Sequence, residues 1–244
     1  MGDLAGRVAI VTGAARGLGR DYARMLSRDG VHVVVADVKG VDAAADDATS
    51  AGTRAIGVET DVTSRASVEA LMARAKAEFG RVDILVNNAG LWRGLAQAGL
   101  LNCPDELWDA AWAVNVTGTL RCSQAAVPLM RERGWGRIIN VSSVAAAGHG
   151  DSYALTKNAV ERMTAGLARE VGESGITVNC IAPGISAFEN AKGQLPNADQ
   201  IVGRQSIKRM GTTRDLYDAI VYLCSEAAAF VTAQTIHVDG GALA

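Results

Sequence analysis

The sequence predicts an α/β fold, a doubly wound parallel sheet of about seven strands with helices on both faces, in one domain covering residues 1–244. Three observations carry this. Short β-branched runs alternate along the chain with longer helical stretches, the pattern of parallel strands joined by right-handed crossovers. Several of those runs are apolar almost throughout, as strands covered on both faces should be. No low-complexity linker, repeat or composition break divides the chain.

The first run, Arg7–Thr12, leads into a glycine loop and a helical stretch, Leu18–Asp29. Val31–Asp37 (VHVVVAD) is the most continuous apolar run. Ala55–Asp61, Val82–Asn87, Gly136–Ser142, Thr177–Ile181 and Thr235–Val238 follow as further strands. Between them lie helical patterns at Ser64–Phe79, headed by a serine cap, then Pro104–Arg133, Ser152–Glu173 and Thr213–Ser225. Gly184–Arg209 is polar, glycine-bearing and without clear periodicity, so a loop or substrate lid is expected around residues 184–209.

Composition narrows the function. Lys and Arg total 24 against 26 Asp and Glu, a net charge of −2, which excludes the strong basic field of a nonspecific nucleic-acid binder. A hydrophobic content of 49% excludes intrinsic disorder and allows a core that needs no metal or disulfide staples. Cys103, Cys122, Cys180 and Cys224 are scattered without a C-x-x-C pair, so reduced, buried thiols and no metal site are expected. Met1–Gly6 carries an acid and no apolar stretch. No run approaches the roughly 18 apolar residues of a membrane span, so a cytoplasmic protein away from membranes is expected.

The segment Thr12-Gly13-Ala14-Ala15-Arg16-Gly17-Leu18-Gly19 falls where the first strand ends and the first helix begins. Glycines there allow a tight turn and bring backbone N–H groups against a pyrophosphate at the positive end of a helix. The spacing is G-x-x-x-G-x-G rather than G-x-G-x-x-G. Asp37 ends the second strand and is followed by Val38. A carboxylate there suits an adenosine ribose diol and repels a 2′-phosphate, which favours NAD over NADP in a Rossmann-type sheet. Arg16 and Lys39 weigh the other way, since either cation could receive that phosphate.

Tyr153 and Lys157 stand at i and i+4, on one face of a predicted helix. A free phenol has a pKa of about 10 and is a poor base at neutral pH. A neighbouring ammonium stabilises the phenolate, so Tyr153 could take a proton from an alcohol or give one to a carbonyl. Ser143 closes a predicted strand, where ligands of open α/β sheets bind. Asn115, inside an apolar helical stretch, reads by itself as a satisfied core polar group.

Six elements now stand in order: Thr12–Gly19, Asn87-Asn88-Ala89-Gly90, Asn115, Ser142-Ser143, Tyr153-x-x-x-Lys157 and Pro183-Gly184. Together they resemble the classical short-chain dehydrogenase/reductase family, from Arg7 to the tail Val238-Asp239-Gly240-Gly241. The resemblance implies Tyr153 as acid/base, Lys157 as its partner and a ligand of the nicotinamide ribose, Ser143 as the substrate-oxygen donor and Asn115 as support for a water path. It implies cofactor contacts at Gly13, Arg16, Gly17, Leu18, Gly19, Asp37, Val38, Asp61, Val62, Asn88, Ala89, Gly90, Pro183, Gly184, Ile185 and Ser186. Asp61 reads equally as a helix cap. The resemblance also implies a homotetramer, with Pro104–Arg133 and Ser152–Glu173 pairing across one interface.

The pattern departs from the family in three places. Val144–Ser152 is shorter than the family commonly has, whereas the stretch from Gly90 to Asn115 is longer; Ser142 is the alternative should Ser143 fall out of reach. Phe188 stands where a threonine is expected, and Ser186 could take its place. Trp92, His149 and Phe188 are candidate substrate contacts by their loop positions, Trp92 reading equally as an aromatic at the core edge. Trp108, Trp112 and Trp135 read as packing or subunit contacts. The expected reaction is NAD-dependent hydride exchange with a small secondary alcohol or ketone. A 3-oxoacyl thioester reductase and a non-catalytic cofactor-binding protein are the alternatives.

Overall fold

Val8–Thr12 forms β1, buried along its whole length in a computed structural model that describes residues 4–148, 150–184, 186–187 and 198–243. α1 (Gly17–Arg28), β2 (His32–Asp37), α2 (Val41–Ala51), β3 (Ala55–Glu59), α3 (Arg65–Phe79) and β4 (Ile84–Asn87) follow. β5 (Gly136–Val141), β6 (Ile176–Pro183) and β9 (Thr235–Val238) complete a seven-stranded sheet in the order β3-β2-β1-β4-β5-β6-β9, with every pair parallel. The strand order reverses between β1 and β4, which opens a crevice beyond their carboxyl ends.

Alternation along each strand divides the core between the two faces. Ala9 and Val11 of β1 pack with Tyr22 and Leu26 of α1, Ala44 and Ala48 of α2, and Leu216 and Ile220 of α9 (Thr213–Cys224). Ile10, between them, faces Leu71 of α3 and Ala126 and Met130 of α6 (Thr119–Arg131). The same helical layer includes Ala168 and Val171 of α7 (Ser152–Val171). No helix among the described residues is long and apolar enough to cross a membrane.

The expected seven parallel strands agree with the structure apart from end residues, and their order in the sheet is set by the structure. α2 was missing from the reading: VDAAADDATSA is rich in residues that favour caps and turns, and only Val41, Ala44, Ala45 and Ala48 mark its buried seam. The expected helix Pro104–Arg133 is three segments rather than one. α5 (Asp105–Ala111) widens to i→i+5 hydrogen bonding over Trp112–Gly118 before α6 resumes. At Gly118 a Cβ would lie 2.7 Å from Val62 Cγ2, so the chain needs glycine where it crosses the loop after β3. Trp108 and Trp112 pair on this segment at 5.7 Å between ring centroids, while the Trp135 ring has the guanidinium groups of Arg7 and Arg137 at 3.7 and 4.3 Å from its centroid.

The polar stretch after Gly184 is not structureless where it is described. β7 (Ser186–Ala187) pairs with β8 (Gly211–Thr212), and α8 (Ala198–Arg204) lies between them. Upstream, the long connection after β4 contains a single helical turn, α4 (Leu95–Ala98), anchored by the fully buried Leu95. Cys122, Cys180 and Cys224 are buried free thiols, whereas Cys103 is only partly covered.

Tyr22 is 0% exposed and its hydroxyl has no hydrogen-bond partner among the described residues. A buried polar atom without a partner carries its desolvation cost uncompensated. Tyr22→Phe is therefore expected to leave stability unchanged or to raise it by about 1 kcal/mol in urea unfolding; a clear loss would show that the hydroxyl is bonded.

Candidate functional site

The glycine loop is held by the start of the loop after β4. Asn88 Nδ2 donates to the carbonyls of Thr12 (2.9 Å) and Gly13 (3.1 Å). Thr12 Oγ1 accepts from the amides of Asn88 (3.1 Å) and Ala89 (3.0 Å). This close approach explains two glycines: a Cβ on Gly13 would lie 2.7 Å from Ala89 Cα, and one on Gly19 2.4 Å from the Gly13 carbonyl oxygen. Gly17 has φ +59° and open space where its Cβ would be. Arg16, extended and exposed, is the residue before α1. No side chain caps that helix and no acid stands in its first turn.

An uncapped N-terminus on a glycine turn presents free N–H groups and the positive end of a dipole, which suits a pyrophosphate. Across the loop, Asp37 Oδ2 accepts from Ala15 N (3.1 Å) and Oδ1 from Val38 N (2.8 Å). That seats a carboxylate beside the loop, with Val38 and Lys39 exposed next to it. The donor set fits a dinucleotide. Leu18 turns into the core on the α1 side.

Asp61 is not the cap of α3. Ser64 fills that role, accepting from Ser67 N, while Asp61 Oδ1 accepts from the amide and hydroxyl of Thr63 at 2.8 and 2.7 Å. Val62 is buried against Gly118. Pro183 ends β6, and Gly184 passes so close to the C-terminal turn that a Cβ would lie 2.6 Å from Asp239 Cα. His149, Ile185 and Phe188 lie outside the described residues, and Ser186 is placed only as part of β7. Trp92 is exposed, with the Arg93 guanidinium 5.7 Å from its ring centroid, so it does not close the core edge.

Tyr153 and Lys157 sit in the first turns of α7, which Asp151 caps by accepting from Ala154 N at 2.8 Å. Lys157 is 4% exposed and its Nζ donates to the Val141 carbonyl at the end of β5, 2.7 Å away. Burial holds the ammonium's pKa down at about 8. Its Nζ lies 5.6 Å from the Tyr153 ring centroid. The expected lowering of the phenol by that ammonium is not what the chain's own groups produce. Burial pushes Tyr153 up to about 12 and the Asp151 charge adds to this, opposed by the Ser143 hydroxyl close enough to hydrogen-bond the phenol.

Ser143, rather than Ser142, is the serine beside the tyrosine. Ser142 Oγ is turned inward, donating to Glu161 Oε1 (2.7 Å) and the Lys157 carbonyl (3.2 Å). Asn115 is buried in the widened helical turn. Its Oδ1 accepts from Leu91 N (2.7 Å), and its Nδ2 donates to the Leu91 carbonyl and to Thr156 Oγ1, both at 2.9 Å. A Cβ on Gly90 would sit 3.5 Å from Lys157 Nζ and 3.6 Å from Asn115 Oδ1, so these groups converge. Thr156 and Glu161 are not among the candidates the sequence offers, and Thr12 enters there only as the start of the glycine-loop motif. Threonine and glutamate are too common to be noticed before their partners are known, although Thr156 lies inside the Tyr153–Lys157 motif.

A family profile described as "Enoyl-(Acyl carrier protein) reductase" matches residues 13–242. The short-chain reductase protein NovJ of Streptomyces niveus is 40% identical, over 96% of this chain and 93% of its own. The 3-oxoacyl-[acyl-carrier-protein] reductase FabG of Escherichia coli K12 is 36% identical over 97% of each chain. The crystal structure of a short-chain alcohol dehydrogenase from Sinorhizobium meliloti 1021 superposes with a TM-score of 0.90 at 31% identity, covering 99% of this chain and 98% of that one. The chain belongs to the short-chain dehydrogenase/reductase family and is an oxidoreductase of that family. Its relatives' nicotinamide chemistry is that of alcohol and keto groups.

The buried lysine makes a testable demand on stability. Folded, Lys157 releases its proton near pH 8; unfolded, it keeps it to its ordinary value near 10.5. Between those values the unfolded chain holds more protons, so stability rises with pH by at most about 1.4 kcal/mol per unit. The parent is expected to gain on Lys157→Met in urea unfolding as pH goes from 8 to 10; parallel curves would refute the depressed value.

Proposed function

We propose that this protein is an NAD-dependent oxidoreductase interconverting a secondary alcohol and a ketone. The observation that carries the reading is the convergence of Tyr153, Ser143 and Lys157 at the carboxyl end of β5, across the switch-point crevice from an uncapped, glycine-turned helix. A bound nicotinamide supplies or accepts the hydride. The chain's own groups handle the proton and the oxygen: Ser143 donates to the substrate oxygen, and Tyr153 Oη gives its proton to the forming alkoxide or takes it back in oxidation. Lys157 stabilises the phenolate once the phenol is ionised and holds the nicotinamide ribose. Asn115 fixes the loop at Leu91 against α7 and supports a water path to the lysine. Gly13, Gly17 and Gly19 hold the pyrophosphate, with Asn88, Ala89 and Gly90 along the opposite wall.

Preference for NAD rests on Asp37. Its carboxylate, fixed by two backbone amides, accepts from the ribose diol and repels a 2′-phosphate. A second reading, a 3-oxoacyl thioester reductase, is favoured by the likeness to FabG. Preference for NADP together with turnover of a 3-oxoacyl thioester would select it. Asp37→Ala is expected to lower kcat/KM for NAD by roughly 10-fold, about 1.4 kcal/mol, and to narrow the gap to NADP; an unchanged ratio removes Asp37 as selector.

Tyr153→Phe is expected to reduce kcat by roughly 10²–10⁴-fold while NAD binding, read by fluorescence, is little changed. Full activity would sink the assignment. The reading includes a homotetramer, to which the exposed Leu155 on α7 contributes. Light scattering at the mass of one subunit would remove that part.

A further inference from the structure

A cavity of about 490 Å³ opens where the long connection after β4 meets the start of α7, lined by close sequence neighbours of Ser143 and Tyr153. Ser152 Oγ donates to the Gly99 carbonyl at 2.9 Å and fastens the two segments together. Its lining among the described residues is Leu100, Leu101, Ala145 and Ala154, the glycines 99, 148 and 150, and Asp151. Ala145 stands two residues after Ser143, and Ala154 directly follows Tyr153. Leu101 is 99% exposed and Leu100 is exposed beside it, so an apolar body entering here would cover both. Asp151 is the single ionisable side chain in that lining.

We infer that Asp151 is a specificity-determining residue, which selects uncharged apolar alcohols and ketones and rejects those carrying a carboxylate or phosphate. The inference rests on the proposed alcohol–ketone chemistry and names its substrate class. The groove is lined mostly by apolar groups and is open to solvent at its mouth, so the repulsion of a second anion by Asp151 is strongest for an anion seated in the groove beside it. Its charge reaches the reacting centre, because it raises the proton affinity of the Tyr153 phenol. No cation stands among the described lining residues to offset it. The carboxylate cannot swing away freely, since Oδ1 is engaged as the cap of α7.

Asp151→Asn separates charge from structure, because asparagine caps helices as well as aspartate does. The probes are a matched pair, 4-methylcyclohexanone and 4-oxocyclohexanecarboxylate, tested on the NADH-loaded parent and variant. Binding is read as the shift in melting temperature, and turnover as NADH oxidation. The parent is expected to bind the neutral ketone at least roughly 10-fold more tightly than the anion, with the variant closing most of that gap. Equal binding by the parent, no binding of either probe, or a gap that persists in the variant would overturn the assignment. A neutral ketone that binds selectively and is never reduced would count against the proposed reaction while leaving the charge selection standing.

Discussion

A single buried ammonium organises the catalytic half of this molecule. Lys157 has almost no contact with water, and its Nζ is held by the carbonyl that ends β5. A charge in such a place is costly unless it is bonded, so the contact with Val141 fixes how α7 sits on the sheet. Ser142 strengthens the same joint from the other side by bonding the Lys157 carbonyl and Glu161. Tyr153, one turn earlier, is carried to its position by this docking. The low proton affinity of Lys157 and the high one of Tyr153 share a cause, which is that burial disfavours whichever form carries charge.

The cofactor half depends on how closely two strand ends approach. β1 and β4 are neighbours in the sheet, and the loops that leave them touch backbone to backbone. Side chains at positions 13 and 19 would push those loops apart, so glycine there is a packing requirement first and an anion-binding device second. Thr12 and Asn88 complete the joint with hydrogen bonds to the opposite loop. Deeper in the sheet, Asn87 of β4 bonds Asn140 of β5, its register partner. Those amides reach Ser123 on α6 and Thr164 on α7, so a polar seam ties both helices to the strands that bear the site.

The segment before α7 and the long connection after β4 are joined. Ser152 Oγ donates to the Gly99 carbonyl, and the same connection buries Leu95. Their junction lines the mostly apolar cavity, with Asp151 as the one carboxylate among its described lining residues.

From the sequence by itself came the parallel α/β architecture, the seven strands, the glycine loop, and the pairing of Tyr153 with Lys157. These are legible because strand burial and helical spacing are local periodicities, and because an i, i+4 pair meets on any helix. The tertiary structure decided which serine faces the tyrosine, that Ser64 and not Asp61 caps α3, and that the long helical pattern widens at Asn115. It also decided that Lys157 bonds a strand carbonyl and that Asp151 stands in a cavity. Each of these depends on a partner far away in the chain or on a single rotamer. Periodicity reports which face a residue is on, whereas burial, desolvation and hydrogen bonding depend on what that face meets.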